Sequence, residues 1–342
     1  MRLSMPLPYT GSPRSIADLV PALETAGLDL VWVAEPYGFD APTMLGYLAA
    51  KTTRIELGAG IVNVFSRTPG TLLQTAAGLD HVSGGRAVLG LGASGPQVIE
   101  GFHGVAYDRP VGRLREVTDI IRRGLRREDV TSDGIYQIPL PPDQGLGLGK
   151  PLKLLVRPER RAVPIYIASL GPASVRATAE YADGWLPFLF HPEKAASVWG
   201  EALAAGAAKR PDELAPLEIC AGGALAIGPD VEHVLDQQRP TYALYVGGMG
   251  ARGKNFYNDL ARSYGYDEAA TKIQDLYLDG NKRDAAAEVP LEWLRAGNLV
   301  GPESYVKERI AAFKEAGVTC LQVIPSGPDP LADIERVKEW IS

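Results

Sequence analysis

Eight short apolar segments of strand length alternate along this chain with amphipathic segments of helix length. The strand-like segments lie near 2–7, 28–34, 54–62, 86–92, 164–169, 184–188, 217–227 and 319–324. The helix-like segments lie near 14–26, 42–52, 69–82, 112–127, 172–182, 193–208, 302–316 and 331–341. This alternation is typical of a parallel sheet with crossover helices, and eight strands favour closure. The sequence therefore predicts an α/β fold, a (β/α)8 TIM barrel. Since such barrels exceed about 250 residues as single domains, we expect residues 1–342 to form one domain.

Two segments interrupt the repeat. Residues 131–162 are rich in glycine and proline, which predicts a hairpin and an irregular loop before the fifth strand. Residues 229–300 look helical at both ends, which predicts a helical insertion between the seventh and eighth strands. The C-terminal ends of barrel strands converge on one face, where binding sites are assembled. The insertion is long enough to cover a site on that face.

The composition excludes several classes of protein. An apolar fraction of 46% and a charged fraction of 22% are ordinary for a globular protein with a large core. A net charge of -6 gives no electrostatic footprint for nucleic acid or an anionic membrane, so polyanionic polymers are poor candidates for partners unless a basic patch forms locally. No histidine pair has the spacing of metal ligands, and Cys220 and Cys320 predict buried free thiols. The N-terminus lacks a signal-peptide pattern and no apolar stretch reaches about 18 residues, which predicts a cytoplasmic protein.

Two neighbouring phrases, RIELGAGIVNVFSRTP and LDHVSGGRAVLGLG, contain apolar runs that end in small and polar residues. In the first, Gly58 and Gly60 remove side chains where a flat ring or another backbone can approach, although strand glycines also mark bulges and tight packing. The second run ends in Gly92 and is followed by Ser94. The hydrogen-bond donors after the first run are Asn63, Ser66, Arg67 and Thr68. Two adjacent strands that end alike predict one shared site.

The fifth strand leads into the sequence SLGPAS, in which Gly171 and Pro172 begin a helix. Free backbone N–H groups and the helix dipole at such a start favour a bound anion, and a phosphate suits that chemistry. An ordinary helix start has the same pattern, so the segment by itself leaves both interpretations open.

Five phrases in a fixed order extend over nearly the whole chain. They are WVAEPYGFDAP, LGAGIVNVFSRTP, LDHVSGGRAVLGLGASGPQVIEGFHG, YIASLGP with ADGWLP, and YVGGMGARGKNFYNDL. Their order and spacing resemble the luciferase-like monooxygenase superfamily, and within it the branch of oxidoreductases that depend on the deazaflavin coenzyme F420. The resemblance implies a barrel with insertions, a homodimer, and a deazaflavin ring bound at the C-terminal mouth. It also implies a non-prolyl cis peptide bond at Gly60–Ile61.

The same resemblance implies a set of cofactor-binding residues. Around the ring these are Gly60, Ile61, Asn63, Ser66, Thr68 and Ser94. Around the phosphate they are Ser169, Leu170, Gly171, Pro172 and Ser174, and Arg252 with Lys254 would meet the acidic tail of the coenzyme.

The catalytic residues are less clear from the resemblance. The sugar-phosphate dehydrogenases of the branch carry a histidine after the second strand and a glutamate after the fourth. This chain has Glu35 and Ser94 in those regions, which argues against activity on glucose 6-phosphate. Glu35 remains the nearest ionisable group, either as a proton donor or in a salt bridge or a hydrogen bond to the cofactor. His103 in EGFHG is a second catalytic candidate, because imidazole exchanges protons with a carbonyl or an alcohol near neutral pH; a packed or surface histidine is the alternative.

Hydride transfer demands little of protein side chains, because the cofactor supplies the chemistry. We therefore expect an oxidoreductase that transfers a hydride between coenzyme F420 and a small organic substrate. Aromatic residues that either line the substrate space or belong to the core are Tyr37, Phe39, Phe65, Trp185 and Phe188. One alternative is a monooxygenase that uses flavin mononucleotide (FMN) in the same barrel, and another is a non-catalytic flavin- or deazaflavin-binding protein. Oxygen consumption separates the first two, because a deazaflavin has carbon at the reactive position and does not readily form a peroxide.

Overall fold

The computed structural model describes residues 1–8 and 12–342 and shows eight parallel strands closed into a barrel. Each strand pairs with the next one in the chain, and the eighth pairs with the first. The predicted TIM barrel is confirmed, and every strand boundary lies within two residues of its predicted position. The strands are β1 (Arg2–Leu7), β2 (Leu30–Val33), β3 (Glu56–Asn63), β4 (Ala87–Gly92), β5 (Ile165–Ala168), β6 (Gly184–Leu186), β7 (Glu218–Ile227) and β8 (Cys320–Pro325).

The helices cover the outside of the barrel and fill the insertion. They are α1 (Pro13–Ala17), α2 (Val20–Thr25), α3 (Ala41–Lys51), α4 (Pro69–Ser83), α5 (Pro96–Gly101), α6 (Pro110–Leu125), α7 (Pro172–Tyr181), α8 (Pro192–Ala207), α9 (His233–Ala243), α10 (Phe256–Ser263), α11 (Asp267–Leu278), α12 (Lys282–Ala287), α13 (Leu291–Gly297), α14 (Glu303–Glu315) and α15 (Pro330–Ile341). The first predicted helix is split in two near Pro21, because proline has no N–H to continue an α-helix. The short helix α5 was not predicted. Within the described ranges, no helix has both the length and the apolar character needed to cross a membrane.

The two interruptions of the repeat contain the predicted kinds of structure. Before β5, Ser132–Asp133 and Gln137–Ile138 form an antiparallel hairpin, followed by a 3-10 turn at Pro142–Gln144. The predicted insertion, residues 229–300 between β7 and β8, contains α9 to α13 and a π-helical turn at Leu244–Gly248. It ends in a short strand, Leu299–Gly301, that pairs with the end of β7 and was not expected from the sequence.

The barrel interior is filled by inward-facing side chains and is charged at its N-terminal end. There Arg2 forms ion pairs with Glu56 and Glu218, and burial raises the pKa of the Glu218 carboxyl. Cys220 and Cys320 face each other in register on β7 and β8 as buried free thiols, as predicted. Because ionic side chains fill the N-terminal end, the strand C-termini provide the face on which a ligand can enter.

The phrase LDHVSGGR stabilises the N-terminal end of β4 and lies away from the mouth. Arg86 donates to the Thr52 hydroxyl at 2.9 Å and to the Ile55 carbonyl at 2.7 Å. The carboxylate of Asp80 is fully buried and accepts from Arg160, with 2.5 Å between Nη2 and Oδ1. The glycines at the other end of β4, and Ser94 after it, lie on the face where the strand C-termini converge.

An aromatic cluster joins the insertion to the barrel above β6. The Trp185 and Trp199 rings are 5.1 Å apart, and Trp199 lies 6.0 Å from Tyr264 of the insertion. Tyr264 lies 5.8 Å from Trp293, and its hydroxyl donates to the Leu189 carbonyl at 3.1 Å. These contacts hold the insertion against the C-terminal end of β6, on the face where the strands converge.

Candidate functional site

The C-terminal half of β3 forms a bulge against β4. The Gly60–Ile61 peptide bond is cis, as the family resemblance implied, and the β3–β4 register shifts between Ala59 and Val62. A side chain at Gly92 would put its Cβ 2.8 Å from Cδ1 of Ile61. The glycine at this end of β4 therefore makes room for the bulge.

The other strand glycines also permit close packing inside the barrel. A Cβ at Gly58 would overlap the Trp32 ring, and one at Gly90 would overlap the Ala59 carbonyl oxygen. At Gly60 the added atom would lie 3.1 Å from Cβ of Trp32. Of the two interpretations of these glycines, the structure supports tight packing at Gly58 and Gly90. Trp32 packs against both Gly58 and Gly60 inside the barrel.

Asn63 organises the loop that follows the bulge. Its side chain is buried, and Oδ1 accepts hydrogen bonds from the backbone N–H groups of Phe65 at 3.1 Å and Ser66 at 2.7 Å. Its Nδ2 lies 3.3 Å from Nε2 of His103, which follows α5. The structure thus brings together two predicted site residues that are 40 positions apart in the sequence.

Glu35 is held in an ion pair at the end of β2. Arg67 donates to both carboxylate oxygens of Glu35, and the distance between its Nη2 and Oε2 is 2.8 Å. The backbone N–H of Ala41 also donates to Oε2, at 2.7 Å. The Glu35 hydrogen bond raises the pKa of the Arg67 guanidinium. Both side chains are largely buried. Of the uses considered for Glu35, the salt bridge is present in this geometry.

Thr68 and Ser94 lie at the outer part of the mouth. The Thr68 hydroxyl caps α4 by accepting from Thr71 N at 3.2 Å, a common use of threonine at a helix start. Ser94 is exposed in a left-handed conformation with φ of 57°, and its carbonyl accepts from the Tyr107 hydroxyl at 3.3 Å. The Thr68 hydroxyl is therefore used to cap α4, whereas the Ser94 side chain faces solvent.

The loop after β5 is tied down on both sides of Gly171. The carbonyls of Ser169 and Leu170 accept from the indole N–H groups of Trp185 and Trp199 at 2.9 and 2.8 Å. Gly171 is the N-cap of the ten-residue helix α7, which begins with Pro172. Two hydroxyls of the segment are used internally: Ser169 pairs with Thr178, and Ser174 donates to the Gly171 carbonyl. The backbone N–H groups at the start of α7 are thus the donors this segment offers to an anion.

Arg252 and Lys254 lie on an exposed loop of the insertion. The Arg252 guanidinium is already paired with α11, at 2.9 Å from Asp275 and 3.9 Å from Asp279. The Lys254 side chain is exposed. These contacts connect Arg252 to the insertion itself, and not to the ends of β3 or β5.

The aromatic residues divide into core and surface. Trp185 is fully buried, and Phe65 is buried and stacks on Tyr107. The ring centroids of Phe188 and Tyr245 are 4.4 Å apart. In the described part of the chain, exposed aromatic side chains that follow β2 and β4 include Tyr37, Phe39 and Phe102. Phe102 was not predicted, because it follows a short helix that the sequence pattern did not reveal.

A cleft of about 230 Å3 opens beside the loop after β3. Arg113 of α6 lies in its wall between the rings of Phe65 and Tyr136, 5.2 Å from each centroid. Arg113 also forms an ion pair with Asp108. Phe65 lies in the loop after β3, Arg113 in α6 and Tyr136 in the turn of the hairpin, so sequence spacing alone gave no signal that they would meet.

Comparisons with known proteins agree with this architecture. The family model described as luciferase-like monooxygenase matches residues 1–320. A putative coenzyme F420-dependent oxidoreductase of Mycobacterium tuberculosis is 38% identical, over 98% of this chain and 98% of that protein. A 5,10-methylenetetrahydromethanopterin reductase of Archaeoglobus fulgidus is 29% identical, over 93% and 92%. The solved coenzyme F420-dependent tetrahydromethanopterin reductase of Methanopyrus kandleri superposes with a TM-score of 0.77 over 99% of this chain and 97% of that one; at 24% identity this likeness concerns the fold.

Proposed function

The chain belongs to the luciferase-like monooxygenase family, and from that premise we propose that it is a coenzyme F420-dependent oxidoreductase. It transfers a hydride between the deazaflavin and a small organic substrate. The observation that carries this proposal is the match to the putative F420-dependent oxidoreductase, which extends over 98% of both chains. The methylenetetrahydromethanopterin reductase, matched over more than nine-tenths of its length, supports the same type of reaction.

The residues at the mouth fit a deazaflavin. The bulge at Gly60 and Ile61 lies in the C-terminal half of β3, where its backbone would support one face of a ring. Asn63 holds the adjoining loop, which carries Ser66. The exposed Ser94 side chain lies at the end of the neighbouring strand. When bound, the coenzyme supplies the two-electron hydride chemistry, and these residues orient it and exclude water.

The start of α7 would hold the phosphate of the coenzyme. Gly171 carries no side chain at the N-cap, and the carbonyls of Ser169 and Leu170 are held by indole N–H groups. The backbone at this helix start is therefore fixed before an anion arrives, and its N–H groups favour negative charge. Lys254 is the exposed cation for the acidic tail, whereas Arg252 would first have to leave Asp275.

The two ionisable candidates take different roles in this proposal. Glu35 accepts from Arg67 and from Ala41 N, so it positions the loops after β2 and β3. His103 is half-buried next to Asn63 and is the group that remains for contact with a substrate.

We also propose the larger setting of this site. Residues 1–342 act as one barrel domain in which segment 229–300 covers the mouth, because the aromatic cluster around Tyr264 fixes the insertion above β6. A cytoplasmic homodimer suits the family resemblance.

Parallel titrations of the purified apoprotein with coenzyme F420 and with FMN, followed by fluorescence, test the proposal. We expect micromolar or tighter binding of the deazaflavin and much weaker binding of FMN. Preference for FMN, together with substrate-dependent oxygen consumption, would instead identify a monooxygenase. Tight F420 binding without a redox change for any substrate in a broad screen would identify a non-catalytic binding protein.

A further inference from the structure

We propose that His103 donates a hydrogen bond to the oxygen of the substrate, which is an uncharged carbonyl compound or alcohol with an apolar body. Asn63 positions His103 for this contact by fixing the tautomer of its imidazole ring. The inference rests on the proposed function, because it concerns the substrate that meets the coenzyme at this mouth.

The orientation of the Asn63 amide follows from its backbone contacts. Phe65 N lies 3.1 Å and Ser66 N lies 2.7 Å from Oδ1, and both are N–H donors. The atom that receives them must be the carbonyl oxygen, because the amide nitrogen of asparagine carries hydrogens and cannot accept. The other end of the amide, Nδ2, therefore faces His103 as a donor.

The tautomer of His103 follows from that orientation. Nε2 lies 3.3 Å from the donor Nδ2 of Asn63, so Nε2 must be the unprotonated nitrogen. A neutral imidazole with an accepting Nε2 carries its proton on Nδ1. Among residues 1–8 and 12–342, no protein group is hydrogen-bonded to Nδ1 of His103, and the ring is half-buried. The Nδ1–H group is thus a fixed, uncharged donor that is left for a ligand.

The surroundings of His103 select the rest of the substrate. The Phe102 ring lies edge-on to the imidazole at 5.1 Å, and Tyr37 lies 6.4 Å from Phe102. Phe102 is 64% exposed and Tyr37 is 57% exposed. Large apolar side chains that adjoin one another on a surface usually mark a binding site. The buried charges of Glu35 and Arg67 at the same mouth cancel in their ion pair. An apolar body beside a neutral hydrogen-bond donor therefore fits better than a phosphorylated or carboxylated substrate.

The first test reads the tautomer directly in the apoprotein, without coenzyme. The chain has four histidines, so 15N-histidine NMR spectra remain simple, and His103→Gln assigns the signal by its absence. We expect Nδ1–H in the wild type. In Asn63→Asp the carboxylate keeps the acceptor for both backbone N–H groups but loses the Nδ2 donor, so we expect the proton to move to Nε2. An Nε2–H tautomer in the wild type would overturn the inference, and this measurement does not depend on the folding of the variant.

The second test reads the contact with substrate oxygen. In the protein loaded with oxidised F420, we expect acetophenone, benzaldehyde or cyclohexanone to shift the Nδ1 resonance of His103, and ethylbenzene, which has no oxygen, to leave it in place. Phe102→Ala should weaken binding of the aromatic probes by about fivefold. If F420 binds normally but none of the three carbonyl probes moves the signal, this inference is wrong and the proposed function stands. If F420 does not bind, the proposed function fails together with the substrate assignment.

Discussion

An aspartate in place of Gly171 tests where the phosphate of the coenzyme binds. Gly171 is the N-cap of α7 with φ of -71° and ψ of 148°, a conformation that any residue can adopt. A Cβ there meets no atom closer than Oγ of Ser174, at 3.8 Å. Aspartate and asparagine are both favourable N-cap residues, so each variant should retain the fold with a gain of a few tenths of a kcal/mol over glycine. The two side chains have nearly the same size and both can cap the helix, and they differ in charge and in the amide N–H donors of asparagine.

The magnitude of the expected effect follows from Coulomb's law. An aspartate at the N-cap would lie about 5 Å from an anion bound at the first turn of α7, where two unit charges repel by about 0.8 kcal/mol in water and about 3 kcal/mol at an effective dielectric constant near 20. Since about 1.4 kcal/mol is a tenfold change in affinity, Gly171→Asp should weaken F420 binding by about fourfold to about two-hundredfold.

Fluorescence titration with F420 provides the assay, with Gly171→Asn as the matched control. The asparagine variant should bind within about threefold of the wild type, because it adds the same volume without charge. The aspartate defect should shrink between about 20 mM and about 300 mM salt, because the Debye length falls over that range. Equal dissociation constants for the two variants would show that the phosphate does not bind at the start of α7.

Three further predictions concern stability. Asp80→Ala should lower the free energy of unfolding by about 3 to 5 kcal/mol, because it leaves the Arg160 guanidinium without its buried partner. A loss below about 1 kcal/mol in urea denaturation would contradict this role of Asp80. Burial lowers the pKa of His191 below its ordinary value of 6.5, so the unfolded chain binds the proton more readily and stability should fall as the pH drops below about 6.5. His191→Gln should flatten that part of the profile of urea midpoints against pH, and an unchanged slope would refute the assignment. Gly90→Ala should destabilise the barrel, because the added Cβ overlaps a backbone oxygen of β3. Gly46→Ala, in the open middle of α3, should instead stabilise the protein by about 0.5 to 1 kcal/mol. Equal shifts of the thermal unfolding midpoint in the two variants would contradict the packing argument.

The sequence by itself was sufficient for the barrel. Strands of this fold are buried on both faces and separated by helices, so apolar runs and helical periods alternate in the chain and can be read locally. The ends of β3 and β4 could be predicted in the same way, because the apolar runs end locally in the glycine-rich phrases near Gly60 and Gly92. The start of α7 at Gly171 and Pro172 was visible because helix starts have local sequence signals.

The pairings at the mouth needed the tertiary structure. Glu35 meets Arg67 across 32 residues and Asn63 meets His103 across 40, and no local pattern specifies which polar side chains meet between neighbouring loops. The same limit applies to Cys220 and Cys320, which face each other across β7 and β8.

The role of each polar group was also decided by packing. The sequence presented Glu35 as the nearest ionisable group, and closure of the barrel placed Arg67 against it in an ion pair. In contrast, the loop after β3 turned the Asn63 amide so that its donor faces His103. The sequence determined which strand ends would form the mouth, because that depends on the order of elements along the chain. Which donors and acceptors satisfy one another depends on distances of a few ångströms between those strand ends, and only the closed barrel sets them.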